Sequence, residues 1–100
     1  MGYFPIYLEM SGRRCLVIGG GELAERKTAG LLAAGAAVTV LSPDVTETIA
    51  DWLSQKAITV IPRYYQPGDL AEFDLVFVAT DDSQVNAVAY REGRSYGIWV

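Results

Sequence analysis

Apolar and polar positions in this chain fall into short blocks, and the period changes from block to block. Residues 14–18 close in an unbroken apolar run, the pattern of a central parallel strand covered on both faces. Residues 22–34 are rich in Ala and Leu and predict a helix that stops at Gly35. A second β-branched run at 37–41 predicts a strand ended by Ser42, Pro43 and Asp44. A second helix is expected over 45–55, with Asp44 or Thr46 able to cap its start. Residues 58–61 predict a third strand, 63–69 a loop that turns at Pro67-Gly68, and 70–73 a short helical turn. Asp-Leu-Val-Phe-Val-Ala at 74–79 predicts a fourth strand, 83–94 a third helix, and 97–100 the beginning of a fifth strand. Ahead of these, 3–10 reads as an extended segment and Ser11-Gly12 as a turn.

Alternation of this kind implies an α/β fold, a parallel sheet with helices on both faces and right-handed crossovers. The expected strand order is 3-2-1-4-5, a Rossmann-like doubly wound sheet in one domain over residues 1–100. Its winding reverses between the strands at 14–18 and 74–79. Ligands of such sheets bind beyond the carboxyl ends of the strands at that crevice. Two loops meet there, 19–22 and 80–82.

The first of these loops carries the strongest motif. Gly19, Gly21 and Ala24 fit Gly-x-Gly-x-x-Gly/Ala, directly after an apolar strand and directly before a helix. Gly19 permits the tight turn, Gly21 lets backbone approach a diphosphate, and Ala24 lets helix and strand pack closely. Unpaired amides and the positive end of the helix then face the phosphates. Gly20, Glu22 and Leu23 complete the expected contact segment. A tight turn that binds nothing is the plain structural alternative.

The ribose side is less regular. A carboxylate normally follows the second strand and accepts from the adenosine ribose. Here the strand runs into Ser42, Pro43 and Asp44, so the acid falls a few residues late. Asp44 serves equally as a helix cap, and Ser42 or backbone groups could take the ribose instead. No Lys or Arg stands beside them to hold a 2′-phosphate, which favours NAD over NADP. On the other side of the crevice, Thr80 and Asp81 fit the nicotinamide-side ribose, while Asp82 or Ser83 suits the cap of the third helix. Adjacent acids in a loop point apart, so Asp81 and Asp82 are not read as an acid–base pair. Asn86 sits one turn further and is expected near the crevice. Arg26 and Lys27 read as a solvated helix face, and Trp52, Tyr64 and Tyr65 as packing or surface aromatics.

Composition removes other chemistries. The 100 residues carry a net charge of −4 with no basic stripe, which argues against nucleic-acid or anionic-membrane partners. No apolar run reaches the roughly 18–20 residues of a membrane span. The chain has no histidine and one cysteine, Cys15, which reads as a buried packing residue on the first strand. The commonest general base and the commonest metal ligand are therefore missing, and no metal site is expected.

Several segments together resemble the N-terminal domain of siroheme synthase and its stand-alone relative, precorrin-2 dehydrogenase. Tyr3-Phe4-Pro5-Ile6-Tyr7 resembles the family's opening segment. Residues 17–27, ending Glu-Arg-Lys, are similar to its nucleotide loop and helix start. Residues 31–36 and 38–40 match the next helix and strand, and Ala79-Thr80-Asp81-Asp82 with Asn86 is the other signature. The resemblance spans the whole chain. It implies NAD-dependent oxidation of precorrin-2, a tetrapyrrole, to sirohydrochlorin, with ferrous-iron insertion in some members. It implies pyrophosphate contacts at residues 19–23, adenosine-ribose contacts at 42–44 and a nicotinamide border at Thr80 and Asp81. It also implies a cytoplasmic enzyme that is a homodimer at full length.

One departure accompanies the resemblance. The family's catalytic aspartate follows its fifth strand, in a segment like Gly-Ile-x-x-Asn-Val-x-Asp, whereas this chain has Gly97-Ile98-Trp99-Val100. The expected aspartate lies beyond Val100, together with the dimerisation and helical regions. The chain thus reads as truncated after the fifth strand, holding the cofactor site without catalytic competence. A non-catalytic NAD-binding regulatory module and an oxidoreductase acting on another substrate remain as alternatives.

Overall fold

The computed structural model describes residues 2–100. Its elements in chain order are β1 (Arg14–Ile18), α1 (Glu22–Ala33), β2 (Ala37–Leu41), α2 (Glu47–Ser54), β3 (Thr59–Ile61), β4 (Leu75–Val78) and α3 (Ser83–Tyr96). The four strands are parallel and ordered β3-β2-β1-β4. That is the expected Rossmann-like winding, with the reversal between β1 and β4.

Register decides where the site can be. Ile18 pairs with Leu41 and with Val78, and Leu41 pairs with Ile61. The four carboxyl ends therefore stand in one row. Ladder bonds continue one residue past the strands, since the Gly19 N–H donates to the Leu41 carbonyl at 3.0 Å and the Ala79 N–H to the Ile18 carbonyl at 2.8 Å. The loops after all four strands leave the sheet along a single edge.

Strand alternation splits β1 between two cores. Cys15 and Val17 pack on one face with Ala24 and Leu31 of α1, Val38 and Val40 of β2, and Ile49 of α2. Leu16 and Ile18 pack on the other with Leu41, Leu70, Val76 and Ala89 of α3. Every side chain from Cys15 to Ile18 is buried, as a strand covered on both faces requires. The second face is completed by 65–73 rather than by a long helix. There the Phe73 N–H reaches back to the Leu70 carbonyl at 3.1 Å, the short helical turn that the apolar pattern implies.

The fifth strand is a correction. Residues 97–100 do not form one; a single parallel bridge joins Trp99 to Leu75, and the Val76 N–H donates to the Trp99 carbonyl at 2.9 Å. The reason lies at the end of α3. The helix runs on to Tyr96, and Gly97 closes it in the left-handed conformation at φ 71°. The Ile98 N–H then bonds back to the Gly93 carbonyl at 2.7 Å, the five-residue closure of a glycine-ended helix. Residues 97 and 98 belong to that cap, so Trp99 is the first residue able to pair. Its place beside β4 is the one the expected order assigns to a fifth strand.

Segment 3–10 carries neither helix nor strand and joins no ladder. Tyr3, Phe4, Ile6 and Tyr7 are exposed, while Met10 packs against the first core. Arg26 and Lys27 are exposed on α1, as a solvated face demands. No helix among the described residues is long and apolar enough to cross a membrane.

Candidate functional site: a glycine-lined cleft at the winding switch

The three consecutive glycines hold three different positions. Gly19 turns the chain off β1 at φ 122°, and a Cβ there would stand 2.4 Å from the Ala79 carbonyl oxygen. A side chain is therefore excluded both by backbone conformation and by the neighbouring strand. Gly20 points at the loop after β2, where a Cβ would lie 2.0 Å from the Asp44 carbonyl oxygen. Its own carbonyl accepts from the Thr46 N–H at 2.9 Å. Gly21 differs, because a Cβ there would meet no protein atom within 4 Å. It is the N-cap of α1 and supplies no side-chain cap. The first-turn amides of α1 thus face open space behind a residue without a side chain. That is the cradle a diphosphate fits, with both backbone donors and helix dipole in place.

Loops from the other strand ends wall the cleft, whose volume is about 390 Å³. Ile18, Leu41, Ala79 and Val85 form an apolar floor, and Glu22, Asp81 and Asp82 are its charged lining residues. Nine of the ten residues expected from the sequence come together here: Gly19, Gly20, Gly21, Glu22, Leu23, Ser42, Pro43, Thr80 and Asp81.

Asp44 is the one that does not. It is absent from the lining, and its backbone oxygen is turned to Gly20 and to Ser42, whose hydroxyl donates to it at 2.7 Å. Nor does Asp44 cap α2. The Thr46 hydroxyl accepts from the Ile49 N–H at 3.2 Å and donates to the Glu25 carboxylate at 2.7 Å, tying α2 to α1. The Asp44 backbone is thus spent on loop geometry and its exposed side chain lies outside the lining, while Ser42, whose proton is engaged, lines the cleft.

Across the switch, the Thr80 hydroxyl accepts from the Asp82 N–H at 2.8 Å. Asp82 is the N-cap of α3, accepting from the Gln84 and Val85 amides at 2.9 and 3.3 Å. That bond set separates the two acids: Asp82 is engaged as a cap, and Asp81 stands exposed at the rim. Asn86 donates to the Thr80 carbonyl at 3.3 Å and so braces the loop from behind rather than lining the cleft.

Sequence reasoning missed the outer wall. Tyr64 and Tyr65 line the cleft. The Tyr65 hydroxyl donates to the Glu92 carboxylate of α3, whose other oxygen accepts from the Gly68 and Leu70 amides at 2.8 and 3.2 Å. Burial, and then the bond to Glu92, push the Tyr65 phenol far above its ordinary pKa. Arg63 forks onto Asp69 with two bonds of 2.8 Å and holds the carboxyl of Asp69 below its usual value. The available signal was position, because any residue just past the carboxyl end of β3 opens onto the shared edge.

A parallel sheet with this switch point, this glycine bend and this bare helix start defines a dinucleotide-binding domain of the Rossmann type. Comparison with known proteins narrows the class. Residues 6–100 match the family model described as "Putative NAD(P)-binding", and the chain belongs to that family. It is 42% identical over 99 residues to siroheme synthase 2 of Yersinia enterocolitica, covering 99% of this chain and 21% of that protein. It is 41% identical over 98 residues to siroheme synthase of Methylobacillus flagellatus, covering 98% of this chain and 21% of the relative. Among solved structures, SirC, a precorrin-2 dehydrogenase, superposes with a TM-score of 0.80 at 35% identity, over 86% of this chain and 43% of that one. The chain spans about a fifth of the length of the curated relatives it matches. These findings support NAD as the dinucleotide, and the open face at Gly21 fits its diphosphate.

Proposed function

We propose that this chain is the NAD-binding part of an enzyme that oxidises precorrin-2 to sirohydrochlorin. The observation that carries the reading is the meeting of the glycine bend and the Thr80-Asp81 loop on one cleft. It is supported by the similarity to siroheme synthases and to a precorrin-2 dehydrogenase.

When bound, NAD supplies the hydride acceptor, and the chain supplies grip and orientation. The amides of residues 20–23 would hold the diphosphate, while the Gly19 N–H stays with the Leu41 carbonyl and fixes the bend. Ser42 and Pro43 border the adenosine ribose, and Ser42 Oγ takes the acceptor role that a carboxylate fills elsewhere, because its proton is engaged by the Asp44 carbonyl. Asp44 contributes through that carbonyl. Thr80 and Asp81 border the nicotinamide half, and Thr80 keeps its hydroxyl proton free to donate, since its oxygen is the acceptor for Asp82. Ile18, Leu41, Ala79 and Val85 exclude water from the floor. The carboxylate that accepts the substrate proton belongs to the segment that follows the fifth-strand position in the resembling family. The whole protein works as a homodimer in the cytoplasm on a tetrapyrrole.

The test uses the protein that carries this domain. Given precorrin-2 and NAD, it should produce sirohydrochlorin absorbance together with NADH. NADP should bind more weakly, because no Lys or Arg lines the cleft to hold an added 2′-phosphate and Arg63, beyond β3, is held by Asp69. Absence of sirohydrochlorin from active, NAD-binding protein would sink the substrate assignment, and tighter binding of NADP would sink the cofactor preference.

A further inference from the structure

Tyr64 is 77% exposed and yet lines the cleft. Exposure of this kind in a tyrosine usually marks a loose surface residue. Here the backbone around it is tied down on every side. Arg63 donates to the Tyr64 carbonyl at 3.0 Å and forks onto Asp69. The Asp69 carboxylate also accepts from the Gln66 N–H at 2.7 Å. Tyr65, the next residue, packs among the second core's side chains and spends its hydroxyl on Glu92, which also anchors Gly68 and Leu70. The loop therefore presents one aromatic face, unpacked, from a braced support.

Strand order says which end of a dinucleotide that face would meet. In β3-β2-β1-β4 the diphosphate cradle stands over β1 and Thr80-Asp81 over β4. Tyr64 follows β3 by three residues and lines the same cleft as Ser42 and Pro43 of the loop after β2. In folds of this type the adenosine half lies toward β2. An aromatic face there meets a base, and every base offers a π-face to stack on.

We propose that Tyr64 is the platform on which the adenine of the dinucleotide stacks, held in position by the Tyr65–Glu92 anchor. The assignment rests on the dinucleotide reading above and adds to it a residue that determines affinity for the purine end. The platform explains how the cleft binds adenosine although the acid after β2 is turned away: stacking replaces part of the missing ribose grip.

Proton NMR of NAD titrated with the chain tests it, with AMP as a second probe. Ring current from Tyr64 should move adenine H2 and H8 upfield and leave the nicotinamide protons without that component. Tyr64→Ala should abolish the adenine shift and weaken NAD and AMP by about tenfold. Tyr64→Phe should keep both. Because the Tyr64 side chain is exposed, each variant should fold, and its circular dichroism checks that. If adenine shifts and AMP affinity are unchanged in Tyr64→Ala while NAD still binds, the platform is overturned and the dinucleotide site stands. If the wild-type chain binds neither NAD nor AMP, the dinucleotide reading itself falls, and the platform falls with it.

Discussion

At the scale of single residues, three adjacent glycines separate folding from binding. Gly19 and Gly20 are demanded by the protein's own atoms: Ala79 on one side, Asp44 on the other. Gly21 is demanded by nothing in the protein. Gly19→Ala should therefore destabilise by at least about 1–3 kcal/mol, through strain at positive φ and collision with β4. Gly20→Ala should also destabilise, because it must push the loop after β2 outward. Gly21→Ala should change stability by less than about 1 kcal/mol. The same variant should weaken NAD by about tenfold, as its methyl enters the space the phosphate amides face. Urea denaturation and calorimetric titration on the three variants check the split. Equal loss of stability at all three positions would remove the distinction. The motif was legible in the sequence as glycines; which glycine serves fold and which serves ligand was not, because that depends on what lies across the turn.

Among the elements, helix starts were readable and their partners were not. Ser, Thr and Asp before an apolar-periodic run mark a cap, and two candidates stood before α2. Thr46 won, and its hydroxyl also reaches Glu25 on α1. Thr46→Ala should remove the cap and the bridge between helices, costing about 1 kcal/mol, or about 4–8 °C in a domain of this size. Thermal unfolding followed by circular dichroism measures it, and an unchanged midpoint would show the cap to be energetically idle. The end of α3 was misplaced for a related reason. Gly97 sits where either a strand start or a helix stop is allowed, and only the five-residue bond to Gly93 decides between them.

At the scale of the whole molecule, two carboxylates tie stability to pH, and one of them joins distant parts of the chain. Asp74 accepts from the Arg14 amide at 2.9 Å, 60 residues away, and that bond holds its carboxyl below the usual value. Asp69 is held low chiefly by Arg63. Both pKa values are depressed on folding, so each group's contribution is complete above the unfolded value of about 3.9 and is lost as pH falls through the lower folded value. Stability should therefore be flat near neutrality and decline on acidification below about pH 4. Asp69→Asn should be less stable at neutral pH and show a shallower decline in acid. Urea midpoints collected across that range decide it; parallel curves for the two proteins would exclude the Arg63–Asp69 pair as a source of the acid sensitivity.

Local chemistry was enough to determine the strand and helix sequence, the parallel winding with its switch at β1 and β4, and the glycine bend. These follow from short-range pattern: apolar runs for two-sided burial, glycines for turns, and alternation for crossover. Tertiary structure alone decided that Asp44 turns away from the cleft, that Trp99 makes one bridge in place of a strand, and that Tyr64 and Tyr65 close the outer wall. Each of those outcomes is settled by a contact between segments far apart in the chain. Asp44 is set by Gly20, Trp99 by β4 and the α3 cap, and the tyrosine loop by Glu92 on α3. The period of a sequence carries no record of such partners, because they exist only once the sheet has brought its strand ends into one row.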